Sequence, residues 1–129
     1  MKKLSRGFTL VEIMVVVAVI ALLVAIAIPN LLRARVNANE ATAQGSLKLI
    51  SNAFENYYAI NNVYPSSTTF LMGVTPPYLV IDYFNGVHEG YTYAATLSNY
   101  TYSVTATPIS SNQGTRSFTM STAGILTGN

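Results

Sequence analysis

Few side chains in this sequence can do chemistry, and the most unusual of them is a carboxylate. Thr9 and Glu12 are the only polar side chains between Phe8 and Ile28. A charged group at the centre of a membrane-spanning helix costs about 2.5–3.5 kcal/mol, so Glu12 calls for a cationic partner. The other candidates are weaker. His88, the single histidine, stands near Asp82 and Glu89 in a glycine-containing loop. One imidazole and two carboxylates there read as a solvated loop, not a metal site. The C-terminal part is rich in Ser and Thr but offers them no base, and strand propensity accounts for their presence. Asn99-Tyr100-Thr101 matches a glycosylation sequon, at a place where a hairpin turn already explains those residue types. Nine tyrosines and five phenylalanines could form a conducting stack, but their alternation along strands is explained by packing. With no cysteine, thiolate metal sites, disulfides and cysteine nucleophiles are excluded. Neither catalysis nor a cofactor is expected.

The elements that must position Glu12 follow from composition. Of 129 residues, 50% are hydrophobic and 9% charged, against roughly 25% charged in an ordinary soluble domain. The apolar excess sits in the first quarter. Ile13 to Ile28 is an uninterrupted apolar run, and its flanks bring it to the roughly 20 residues that cross a bilayer as a helix. Three readings compete: a secretory signal cut beyond the run, a plain signal anchor, and a chain cut before the run, which is then retained. The run is long for a signal, and Ile28-Pro29-Asn30 is a poor cleavage site. A basic leader, Met1 to Gly7, ends in glycine. An aromatic residue follows, and Glu12 is the fifth residue after Gly7. This pattern favours the third reading.

Gly7-Phe8-Thr9-Leu10-Val11-Glu12 resembles the cleavage and methylation motif of type IV prepilins and type II secretion pseudopilins. The similarity is specific from Arg6 to Pro29 and looser to Tyr64-Pro65. The resemblance implies a peptidase that cuts between Gly7 and Phe8 and methylates the new Phe8 amine. It also implies a role for Glu12 in adding subunits to a filament, and a stretch at Pro29 that loosens on assembly. Pro29 by itself predicts a kink at the membrane surface, because it has no N–H for the carbonyl near Ala25. Major pseudopilins commonly carry an aspartate-rich calcium loop. The segment from Tyr91 to Asn129 has no Asp or Glu, so calcium is not carried over.

Lys2, Lys3 and Arg6 precede the helix, and Arg33 and Arg35 follow it. The bias predicts a cytoplasmic leader and a body outside the inner membrane. Without the leader, four basic residues face five acidic ones. No basic patch with interleaved aromatics is present, so no nucleic-acid partner is expected. Beyond Pro29, Val36, Ala43, Leu47, Ile50, Phe54 and Tyr57 share one helical face, while Glu40, Gln44, Lys48 and Asn52 recur on another. The helix is expected to end before Asn61-Asn62. The segment from Phe70 to Glu89 reads as a loop with one short strand at Leu79 to Tyr83. Strands are expected at Tyr91 to Leu97 and Tyr100 to Ala106, joined by a two-residue Ser98-Asn99 turn. Another is expected at Arg116 to Ser121, with a short one at Gly124-Ile125-Leu126.

The expected fold is α+β, pilin-like: a long N-terminal helix, transmembrane in its first half, packed on a small antiparallel sheet. Residues 1–7 form the leader, 8–32 the transmembrane and assembly helix, 33–60 its amphipathic continuation and 61–129 the head. The expected function is that of a structural subunit polymerised into a type IV pilus or pseudopilus. Its implied partners are further copies of itself, the peptidase and methyltransferase, an inner-membrane assembly platform and, before assembly, lipid. The alternative is a membrane-anchored extracytoplasmic binding module that does not polymerise.

Overall fold

The stretch from Phe8 to Ile28 contains neither glycine nor proline, and nothing in it stops a helix. In the computed structural model, which describes residues 7–129, helix α1 spans Leu10–Asn61 and continues through Pro29. Lys2, Lys3 and Arg6, on which the topology argument rests, lie outside the described residues. The chain divides into two compact units, up to Ala34 and from Arg35 onwards.

In the first unit the whole of Phe8 to Ala34 is exposed. In the second unit, α1 buries Ala43, Leu47, Ile50, Ala53 and Phe54, a three–four spacing that puts them on one face. The helix ends where Asn62 adopts a left-handed conformation, φ 58°, and its N–H returns to the Tyr58 carbonyl. A short 3-10 turn, η1 (Thr68–Leu71), follows, opened by the Ser67 side chain accepting from the Thr69 N–H.

The sheet is an antiparallel meander in sequence order, β1 (Tyr91–Leu97), β2 (Tyr102–Pro108), β3 (Phe118–Ser121) and β4 (Ile125–Gly128). Alternation sets its faces as expected. Tyr91 and Tyr93, then Tyr102, Val104 and Ala106, then Phe118 and Met120 are buried, joining the α1 residues in one core. Together these elements make the α+β, pilin-like architecture.

Three expectations are corrected. No strand forms at Leu79 to Tyr83. The Leu79 N–H bonds to the Leu71 carbonyl in a loop whose Leu79 and Tyr83 side chains are buried, so their apolar character reflects burial without a ladder. The β1–β2 connection is not a two-residue turn. Leu97 pairs with Tyr102, leaving four residues between the strands. A two-residue I′ turn needs positive φ at both central positions, which Ser98 does not favour. The longer loop lets the Asn99 carbonyl accept from Tyr64 N–H and leaves Tyr100 exposed. Finally, Glu40 is not on a face apart from the core: it is buried, at 5% exposure. It falls three residues before Ala43 and seven before Leu47, in the same row as the core.

Candidate functional site

The expected site is the N-terminal motif. Gly7 and Phe8 precede the helix, and the Phe8 side chain is 82% exposed. Thr9 occupies the position before the first helical residue, where the leading N–H groups have no partner inside the helix. Its side chain accepts a hydrogen bond from the Glu12 N–H at 3.3 Å. In return, Glu12 Oε2 accepts from the Thr9 N–H at 2.9 Å and from the Thr9 hydroxyl at 2.8 Å. This is a capping box, with threonine at the cap and glutamate three residues on. The spacing T-x-x-E is visible in the sequence, but the expectation of a cationic partner for Glu12 passes over it. The box concentrates its bonds on Oε2. Among the described residues Oε1 has no hydrogen-bond partner within the chain.

Around this polar turn everything is apolar and open. Seventeen large apolar side chains from Phe8 to Leu32 are exposed. Burial is worth about 1.5–3 kcal/mol for each such side chain, so this surface in water is disfavoured by tens of kcal/mol. The helix is long and apolar enough to cross a membrane, by length and composition, and none of its apolar window is buried. Pro29 lies in the same exposed stretch, inside the helix.

Two other ionisable groups singled out in the sequence are engaged locally. His88 Nε2 bonds to the Asn85 carbonyl at 3.2 Å, and Asp82 Oδ1 accepts from the Phe84 N–H, each within its own loop.

A second polar cluster escaped the sequence reading. Glu40 Oε1 accepts from the Thr115 N–H and hydroxyl, at 3.0 and 2.8 Å. Its Oε2 takes the Arg116 guanidinium through Nε and Nη2, at 3.1 and 2.8 Å. One position earlier, Asn39 Nδ2 donates to the Gln113 carbonyl and to Gln113 Oε1. These bonds tie the β2–β3 connection to α1. Burial pushes the Glu40 carboxyl up, but the Thr115 and Arg116 bonds outweigh it and hold the group below the usual carboxylate range. The same connection passes over Tyr91, whose hydroxyl donates to the Arg116 carbonyl. A side chain at Gly114 would overlap that hydroxyl, so only glycine fits there. No local pattern announces the cluster, because its partners lie 74–76 residues apart.

Just beyond α1, Tyr64 donates to Glu55 of that helix at 3.1 Å, and its ring stacks on Tyr58 and meets Tyr102 edge-on. Burial, then the Glu55 hydrogen bond and charge, pushes the Tyr64 phenol up to about 12. The rings form small packed groups, drawn from the helix and loops as well as the strands.

An exposed apolar helix opened by a threonine–glutamate cap, followed by a small helix-on-sheet body, defines a class of protein anchored or assembled through its N-terminus. Comparison with known proteins sharpens that class. Residues 2–28 match the prokaryotic N-terminal methylation motif. The chain is 40% identical over 70 residues to a type IV wide pilus major component of Thermus thermophilus, covering 54% of this chain and 53% of that protein. It is 38% identical over 60 residues to a type IV major pilin of Myxococcus xanthus, covering 46% of this chain and 27% of the relative. It is also 38% identical over 69 residues to the type II secretion system core protein G of Vibrio cholerae, covering 52% and 47%. The chain thus spans about half the length, or less, of the curated relatives it matches. The resemblance read from Gly7 to Glu12 is borne out: the chain carries the methylation motif and is similar to both type IV pilins and the pseudopilin-type core protein G.

Proposed function

We propose that this chain is a structural subunit, cut between Gly7 and Phe8, methylated on the new Phe8 amine and polymerised into a type IV pilus or pseudopilus. The observation that carries this reading is the uncovered apolar helix from Phe8 to Leu32 with one carboxylate near its start. Lipid covers such a surface before assembly, and the same helix of neighbouring copies covers it afterwards. Hydrolysis of the Gly7–Phe8 bond releases residues 1–7 and turns a peptide nitrogen into an ammonium at the head of the helix. In low dielectric, a carboxylate and an ammonium attract far more strongly than in water. The capping box holds Glu12 Oε2 and leaves Oε1 for the Phe8 ammonium of a neighbour. That pairing sets the register in which a subunit joins. The methylation-motif match and the pilin and core protein G relatives support the reading. The inner membrane is then the site of insertion, and a periplasmic or surface filament the destination.

Mass spectrometry of the protein from its native host tests the first step. The mature chain is expected to begin at Phe8 and carry one methyl group on its amine. An intact Met1, or an end near Pro29, overturns the reading. Sheared filaments that contain the protein separate a subunit from a membrane-tethered binding module, which would remain in the membrane fraction.

A further inference from the structure

The loop between Tyr83 and Tyr91 carries the single Asn-Gly pair of the chain, Asn85-Gly86. Both residues are exposed. Gly86 adopts φ 88°, a left-handed conformation open to glycine at no steric cost. Among the described residues the Gly86 N–H donates no hydrogen bond and the Asn85 side-chain amide makes none. The prospective nucleophile and electrophile are therefore free, adjacent and unscreened by a Cβ on the following residue.

One contact bears on their reactivity. His88 Nε2 lies 3.2 Å from the Asn85 main-chain oxygen. A carbonyl oxygen only accepts, so the imidazole nitrogen carries the proton of this bond. The Asn85 carbonyl and the Gly86 N–H belong to one peptide unit and share its delocalised electrons. A donor on that oxygen stabilises the charge that appears there when the Gly86 nitrogen gives up its proton. The histidine is held in place by its neighbours: its ring lies 5.3 Å from that of Tyr83, and the His88 N–H bonds to the Tyr91 carbonyl.

We propose that Asn85-Gly86 is a self-modifying site, at which the folded loop converts the asparagine to an aspartyl or isoaspartyl linkage with help from His88. The deprotonated Gly86 nitrogen attacks Asn85 Cγ. The new N–Cγ bond closes a succinimide, and the side-chain nitrogen leaves with the protons as ammonia. Water then opens the ring at either carbonyl, giving the aspartyl or the isoaspartyl form. No enzyme, oxidant or second substrate enters the balance. The product places a new negative charge on an exposed loop that already holds Glu89 and follows Asp82, after folding and independently of assembly.

The test uses the full chain in detergent micelles, incubated at neutral pH and followed by peptide mapping and mass spectrometry. The expected result is a time-dependent exchange of NH2 for OH at position 85, several-fold faster than at the exposed Asn99. Asn85→Gln removes the signal, because ring closure would then need six members. His88→Phe keeps an aromatic ring between Tyr83 and Tyr93 and is expected to slow the exchange several-fold in the native state. In denaturing urea the variant and the original chain should react alike. A rate at Asn85 no greater than at Asn99 overturns the site. Equal native rates with and without the imidazole overturn the role of His88.

Discussion

Glu12 and Glu40 lie on one helix, the first in an exposed apolar stretch and the second in the row that faces the core, and the two regions satisfy them in opposite ways. Glu12 is served by its own first turn, through Thr9 alone. Glu40 is served from across the fold, by Thr115 and Arg116, with Asn39 and Gln113 alongside. The second carboxylate has all it needs within the chain. Among the described residues, the first has one oxygen engaged and the other without a partner. A buried carboxylate whose partners are supplied from within is a structural device that fixes a loop to a helix. A half-satisfied carboxylate on a helical stretch that is exposed among the described residues fits a contact between chains. Substituting the two residues should therefore damage different things.

The largest effect is expected at Glu12. Glu12→Leu removes the charge from the apolar stretch, so insertion and cleavage after Gly7 should stay nearly intact. Filament yield should fall to nothing or close to it, because the partner for the neighbouring Phe8 amine is gone. Quantifying sheared filaments beside a processing assay checks this. Normal yield would reduce Glu12 to a helix cap and break the comparison. Since the cap itself is worth only about 1 kcal/mol, its loss does not account for abolished assembly.

At Glu40 the expected damage is to folding. A fragment that begins at Arg35 discards the exposed apolar stretch and should be soluble and monomeric. In that fragment Glu40→Leu should cost about 2 kcal/mol, the scale of losing hydrogen bonds to a charged group. Arg116 is half exposed and Thr115 exposed, so both regain water, which keeps the loss from being larger. Urea unfolding measures it. No change in midpoint would mean that the Glu40 cluster does not hold the loop.

Both ends of the pH range sharpen the same point. Glu40 is held below the ordinary carboxyl value of 4.5. Its contribution is complete above that pH and is lost as pH falls through the lowered folded value. Tyr64 works in the other direction, raised from 10.0 to about 12. It contributes in full below pH 10 and loses its contribution as pH climbs towards 12. Thermal melts of the fragment should show a sloping acid limb that Glu40→Leu flattens, and an alkaline limb that Tyr64→Phe flattens. Unchanged limbs in these variants would assign the slopes to other groups.

Much of this was legible in advance, and what was missed has a common cause. Period and composition located α1, the faces of β1 to β3 and the apolar stretch, because each is a local pattern in which side-chain spacing matches backbone geometry. The capping box was equally local, yet the expectation of a cation to pair with Glu12 passed over Thr9. Glu40 was set on a separate face because it belongs to a polar repeat every four residues, and Thr115 and Arg116, far along the chain, make its burial tolerable. The β1–β2 register was misjudged by two residues. A shift of two leaves every side chain on its own face, so alternation carries no information about it. The contact that decides it, Tyr64 N–H to the Asn99 carbonyl, comes from outside the hairpin.

The smallest effect is expected at Gly45, in the middle of α1. Glycine in a helix interior costs about 1 kcal/mol relative to alanine, and two things usually justify it. One is a positive φ, but Gly45 is not among the glycines with positive φ. The other is a close neighbour, but a Cβ built there meets nothing within 4 Å. The free chain therefore gives no reason for glycine at this position. Gly45→Ala should stabilise the Arg35 fragment by about 0.5–1 kcal/mol, read as a higher urea midpoint with unchanged slope. A loss of stability would mean that the helix is locally strained there. The informative case pairs that gain with filament yield in the full chain. If the stabilised variant assembles normally, the position is neutral. If it folds better and assembles worse, the missing side chain makes room for another copy, and Gly45 joins Glu12 among the residues explained by a neighbour and not by the chain's own fold.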